Sequence, residues 1–97
     1  MLESAELESL LETCSREFGD QNHLESNLTR AFNLWARTTL DEQGILREAR
    51  RAREVTKERI SRSAIQDRGK RMPCFFSVFE DLLGLRASAR TPRTGPG

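Results

Sequence analysis

Apolar side chains near the start of the chain follow a spacing of i, i+3, i+4, i+7 and i+11, at Leu7, Leu10, Leu11, Cys14 and Phe18. Residues with this spacing share one face of an α-helix, whereas a half-buried strand would alternate at every second residue. The pattern therefore predicts an amphipathic helix over residues 3–18, with Ser4 as its N-cap and Gly19 ending it.

A second helix is predicted to open at Asn22, which is followed three residues later by Glu25 in a variant of the capping box. Its apolar face carries Phe32 and Trp35, whose large area makes them first candidates for the centre of the core. Trp35 has an alternative interpretation, because an exposed indole could stack on a nucleic-acid base.

The longest predicted helix covers residues 40–60 and starts from a capping box formed by Thr39 and Glu42. Its apolar stripe is narrow and consists of Ile45, Ala49, Ala52, Thr56 and Ile60. Small alanine side chains allow two helix axes to approach closely, so we expect this helix to pack tightly against the second one.

Residues 61–71 lose the helical period and are predicted to form a loop. Pro73 then suits the first position of a fourth helix, and Gly84 suits its C-cap. The apolar face of this helix consists of Phe75, Phe76, Phe79, Leu82 and Leu83. Residues 86–97 contain no large apolar side chain, which predicts a disordered basic tail.

These segments predict an all-α protein, a small bundle of about four helices that forms one domain over residues 1–85. The tail over residues 86–97 follows it. A chain of 97 residues has room for a single modest core. No apolar run approaches the roughly 18–20 residues that a membrane span requires, so we expect no membrane association.

Cysteine and histidine usage argues against metal, disulfide and catalytic chemistry. The chain has two cysteines, Cys14 and Cys74, and one histidine, His23, whereas a zinc site needs about four ligands at short paired spacings. Cys14 lies on the predicted apolar face, where burial raises the pKa of a thiol. Without a nucleophile-elbow, phosphate-loop or metalloprotease motif, we expect a cytoplasmic protein that is not an enzyme and takes no cofactor.

Charge is divided between the two halves of the chain, although the formal net charge is only +1. Residues 1–46 contain nine acidic and three basic side chains, and residues 47–97 contain six acidic and thirteen basic ones. The densest part is residues 47–71, here called the basic segment, with ten basic and four acidic side chains. Most of these bases are arginines, whose planar fork matches pairs of phosphate oxygens.

Two interpretations of the basic segment are open. It could be a solvated helix face with local ion pairs, or a face that rests against the acidic first helix. The pairs with helical spacing are Glu48–Arg51, Arg50–Glu54, Glu54–Lys57 and Glu58–Arg62. Alternatively, the segment lies along a nucleic-acid backbone and neutralises phosphates. The candidate nucleic-acid-binding residues are then Arg47, Arg50, Arg51, Arg53, Lys57, Arg62, Arg68, Lys70 and Arg71.

Part of the chain resembles a known protein family. The relevant runs are TRAFNLW at residues 29–35, ARRAREVT at residues 49–56 and above all RMPCFFSVFEDLLG at residues 71–84. In this order, residues 28–85 resemble the C-terminal helical region of bacterial and plasmid replication-initiation proteins, which carry an N-terminal helix-turn-helix and a DnaD-like tail.

The resemblance implies a bacterial helical domain that binds DNA, often single-stranded, and contacts replication proteins or itself. It implies that Phe75 or Phe76 either stacks on bases or belongs to the core. Phosphate contact is implied for Arg50, Arg51, Arg53, Lys70 and Arg71.

The leading hypothesis is a small DNA-associated domain. The alternative is a helical protein–protein interaction module with no nucleic-acid role, docking through the acidic first helix or the exposed side of the Phe-rich fourth helix.

Overall fold

A computed structural model describes residues 3–85 and confirms the all-α architecture, with no strand in that range. The four α-helices are α1 (Ala5–Glu17), α2 (Leu24–Ala36), α3 (Glu42–Ser61) and α4 (Arg71–Leu82). Two single turns of 3₁₀-helix, Gln21–His23 and Arg68–Lys70, precede α2 and α4. The predicted basic tail lies outside the described residues.

The centre of the core is a cluster of phenylalanine rings. Phe75 is fully buried, and its ring centroid lies 6.0 Å from that of Phe18, 5.3 Å from Phe76 and 5.6 Å from Phe79. These rings join the end of α1 to the buried face of α4. Phe75 and Phe76 therefore belong to the core and expose no face on which a base could stack.

The buried stripe of α3 packs most extensively against α4, so the expectation that it packs against α2 is wrong. Ala49 and Ala52 are fully buried, as their spacing predicted. Small side chains on one helix leave room for large ones on its neighbour, and α4 is the helix that carries the phenylalanines. The partner of α2 is α1.

Trp35 occupies the core, whereas Phe32 lies at its edge. The Trp35 side chain is buried, and its indole Nε1–H donates to the carbonyl of Leu40 at 2.9 Å. Phe32 is half-buried and stacks on Trp35 with 6.1 Å between the ring centroids. The core interpretation of Trp35 is confirmed, and its ring is not available to stack on a base.

The first two helices begin differently. Ser4 caps α1 as predicted, because its hydroxyl oxygen accepts a first-turn backbone N–H at 3.0 Å. The capping box predicted for the second helix is wrong, since the turn Gln21–His23 occupies its place and α2 has no side-chain cap. The start of α2 is instead fixed by buried Asn27, which donates to Ser15 Oγ and Asp20 Oδ2, both at 3.0 Å.

The N-cap of α3 is Asp41, so the prediction of Thr39 is wrong. The Asp41 carboxylate accepts the backbone N–H of Gly44 at 2.8 Å. In the predicted capping box, Glu42 would accept the backbone N–H of Thr39. In the structure, Glu42 instead accepts a hydrogen bond from the Ser4 hydroxyl at 2.7 Å. The cap residue of α1 therefore contacts the first residue of α3.

Asp41→Ala is expected to lower the free energy of unfolding by about 1 kcal/mol, because an N-terminal N–H loses its acceptor. Thr39→Ala should change it by no more than about 0.5 kcal/mol, as for other exposed positions away from special features. Urea denaturation followed by circular dichroism measures both values. A larger loss at Thr39 than at Asp41 would contradict this assignment.

The predicted loop over residues 61–71 is shorter in the structure, because the turn Arg68–Lys70 leads directly into α4. The helix begins at Arg71, two residues before Pro73. A proline is tolerated there, since the first-turn amides have no partner within the helix. Gly84 follows the end of α4 with a φ of +79°, a left-handed conformation that favours glycine.

Candidate nucleic-acid interface

The solvent-facing side of α3 carries three of the predicted arginines within little more than one helical turn. One side of α3 is buried through a stripe that includes Ala49 and Ala52, so the opposite side of the helix faces the solvent. Arg47, Arg50 and Arg51 are all exposed there. We refer to these three residues as the arginine face.

The arginine face has more positive than negative charge. A single carboxylate, that of Glu48, accepts from Arg47 Nε at 3.3 Å and from Arg51 Nη1 at 3.2 Å. Arg50 has no ion pair among residues 3–85, so the predicted Arg50–Glu54 pair is not formed there. One acidic group therefore compensates two guanidinium groups, and a third guanidinium is uncompensated.

The three arginines border one shallow depression of about 400 Å³, together with Glu54 and Val55. The half-buried Val55 side chain gives the depression an apolar patch between the charged groups. The exposed guanidinium of Arg50 can turn towards a phosphate oxygen without leaving a partner, whereas those of Arg47 and Arg51 would first have to exchange the carboxylate of Glu48 for it.

Arg53 does not belong to the arginine face, although the sequence placed it in the candidate interface. Its guanidinium forms a bidentate pair with Glu17 of α1, at 2.7 Å from Nε to Oε1 and 2.6 Å from Nη2 to Oε2. This hydrogen bond holds the pKa of Glu17 below its ordinary value and raises that of Arg53. For this residue, the interpretation that the basic segment rests against the acidic first helix is confirmed.

Glu17→Gln should lower the free energy of unfolding by about 0.5–1 kcal/mol at pH 7, since the pair is only partly exposed and bidentate. A carboxyl group whose pKa is lowered by folding stabilises the folded protein at pH values above the pKa that the group has in the unfolded chain. That contribution is lost as the pH falls from the ordinary value of 4.5 through the folded pKa. Urea titrations should therefore show a smaller difference from wild type at pH 3 than at pH 7, and a constant difference would contradict the pairing.

Two further predicted residues form local ion pairs along α3. Lys57 lies 4.0 Å from Glu54, and Arg62 lies 3.1 Å from Glu58. These pairs were predicted from helical spacing and are confirmed. Both are exposed, so each contributes little to stability and can be exchanged for a pair with another anion.

The remaining predicted residues lie where α4 begins. Arg68 and Lys70 are exposed in the turn before α4, and Arg68 approaches the end of α1 near Gly19. Arg71 is partly buried and borders a second depression, on the side of α3 that faces the end of α1. The structure thus places these three residues in a second region, apart from the arginine face.

Sequence reasoning left out one base of this segment, Arg59. Its Nη1 lies 3.7 Å from Cys74 Sγ, so it links the last turns of α3 to the first turns of α4. No local pattern indicates this contact, because the two residues come together only when α3 and α4 pack.

The groups considered for catalysis lie apart from the arginine face. Cys14 is fully buried, and burial raises the pKa of its thiol to about 12, so it carries no thiolate at neutral pH. His23 is exposed in the turn before α2, with Nδ1 2.8 Å from the Asp20 carboxylate. Both cysteines are free.

Comparison of the chain with protein-family models, with curated proteins and with solved structures finds no match. Among the helices described over residues 3–85, none has the length and apolar character needed to cross a membrane.

Proposed function

We propose that this protein binds DNA through the arginine face of α3, by neutralising backbone phosphates. The observation that carries the proposal is the charge imbalance around Arg50, which has no ion pair among residues 3–85 while its neighbours Arg47 and Arg51 share one carboxylate. Exposed arginines of this kind gain more from a phosphate than from the solvent. The resemblance of residues 28–85 to the helical region of replication-initiation proteins supports the same function.

The charge pattern favours weak, salt-dependent binding over sequence readout. Glu48 and Glu54 lie among the arginines and would repel phosphates that approach closely. The aromatic rings of the core are not available for stacking on bases. We therefore expect dissociation constants in the range of about 10⁻⁴–10⁻⁶ M that is typical of non-specific DNA binding.

Two single substitutions with the same charge change test this assignment. Arg50→Glu should weaken binding of a labelled single-stranded oligonucleotide about tenfold or more in fluorescence anisotropy, since one contact becomes a repulsion. Arg37→Glu is the matched control, because Arg37 is also exposed but lies at the end of α2, beside the groove between α2 and α4. Equal weakening by both variants would show only a response to net charge and would refute the arginine face as the site.

A protein-binding role has support from a different surface. Glu6, Glu8 and Glu12 of α1 are exposed and have no ion pair among residues 3–85, which suits a basic partner such as a replication protein or a second copy of the chain. A partner on the exposed side of α4 would not contact its phenylalanine rings, because those rings are buried. Charge reversal at Glu8 and Glu12 would remove this function and leave DNA binding intact.

A further inference from the structure

A second depression, here called the corner depression, lies where the end of α1, the last turns of α3 and the start of α4 meet. Its volume is about 350 Å³. The residues that line it are Glu17, Phe18, Lys57, Ile60, Ser61 and Arg71. Glu17 and Phe18 are separated from the other four by almost forty residues of sequence, so the site exists only in the folded bundle.

Arg71 has an unusual environment in this depression. Its Nε atom is buried and has no hydrogen-bond partner. Buried polar groups in folded proteins almost always have partners. A buried N–H without one has lost its hydrogen bond to water and gained none in return, which destabilises the fold. Arg71 also forms no ion pair among residues 3–85, so its charge is uncompensated there.

The other cation in the corner depression is loosely held. The nearest carboxylate to the Lys57 ammonium is that of Glu54, at 4.0 Å. Glu17 also borders the depression, but both of its oxygens accept hydrogen bonds from Arg53. The first turn of α4, where Arg71 lies, contains no acidic residue and has no side-chain cap, so the positive end of the helix dipole adds to this charge.

We propose that the corner depression binds one phosphate group, with Arg71 supplying its fork of donors and Lys57 the second positive charge. This proposal rests on the proposed function, because it adds a further phosphate contact to those of the arginine face. Lys57 follows Arg47 by ten residues, which corresponds to about 15 Å along α3. A strand that lies along α3 can therefore contact both regions at once.

Inorganic phosphate and a labelled single-stranded oligonucleotide test the site on the full chain. Addition of inorganic phosphate should shift the Arg71 Nε–H signal in ¹⁵N NMR spectra, since an anion bound by the guanidinium changes the surroundings of that N–H. Arg71→Lys keeps the charge but loses the Nε donor and the fork, so we expect it to weaken oligonucleotide binding about tenfold. Arg37→Lys, outside both regions, is the matched control and should change neither.

The possible outcomes separate the two proposals. If the oligonucleotide binds wild type and Arg71→Lys equally and phosphate shifts no Arg71 signal, the corner site is refuted while the proposed function stands. If phosphate shifts the Arg71 signal but no oligonucleotide binds, the phosphate site stands and the proposed function fails. Lys57→Gln provides a second variant, because it removes a charge from an exposed position without altering the core, and it should weaken the phosphate response.

Discussion

Replacing Phe75 with alanine should remove a large share of the stability of this fold. The ring is fully buried and lies within 6.0 Å of three other phenylalanine rings, measured between centroids. Its removal loses buried apolar area and leaves a cavity, which together cost about 3–5 kcal/mol. A chain of this size has a total stability of about 5–15 kcal/mol, so the variant should lose a large share of it.

Thermal and urea denaturation followed by circular dichroism measure this effect. The melting temperature should fall by roughly 15–30 °C, given the enthalpy of a domain of this size. Phe32→Ala is the matched control, since that ring is half-buried at the edge of the core, and it should cost only about 1–2 kcal/mol. A Phe75→Ala variant that is as stable as Phe32→Ala would contradict the placement of the phenylalanine cluster at the centre of the bundle.

Charge reversal at Arg50 and Arg51 together should reduce DNA affinity about a hundredfold, because each charged contact contributes roughly 1.5 kcal/mol. Both side chains are exposed, so the variant should fold. New like-charge pairs with Glu48 and Glu54 should lower the free energy of unfolding by less than about 1.5 kcal/mol. Anisotropy gives the affinity, and circular dichroism gives the stability of the same sample.

A double variant that folds and still binds DNA with wild-type affinity would contradict the assignment of the arginine face. The control reverses two exposed arginines elsewhere, Arg16 at the end of α1 and Arg37 at the end of α2. It carries the same net charge as the test variant. If the effect depends on position, this control should bind DNA within about threefold of wild type, as expected when only long-range field effects change.

The helices were predictable because their signals are local. The spacing from Leu7 to Phe18 lies within one segment, and Ser4 needs only a nearby N–H to act as a cap. The choice of Asp41 over Thr39 was not predictable, because both residue types are good caps. In the structure Asp41 caps α3, and Glu42 instead accepts a hydrogen bond from a side chain 38 residues earlier, a contact that no local pattern indicates.

The arrangement of the candidate site was predictable only in part. Helical spacing correctly placed Arg47, Arg50 and Arg51 on the solvent side of α3, opposite its buried stripe. The ion pair of Arg53 with Glu17 depends on α1 lying beside α3. Helical periodicity does not indicate which helices are neighbours. The same limitation explains why α4 was missed as the partner of α3, and why the corner around Arg71 could not be predicted from sequence.

The salt dependence of DNA binding by the wild-type protein tests the central claim most directly. Fluorescence anisotropy of a labelled single-stranded oligonucleotide, measured between about 50 and 200 mM salt, gives the number of phosphates that the protein neutralises. Three contacts on the arginine face predict a slope of about −2 in a plot of log affinity against log salt concentration. An anisotropy that stays flat at the lowest salt concentration would contradict nucleic-acid binding and would leave these arginines as a solvated helix face.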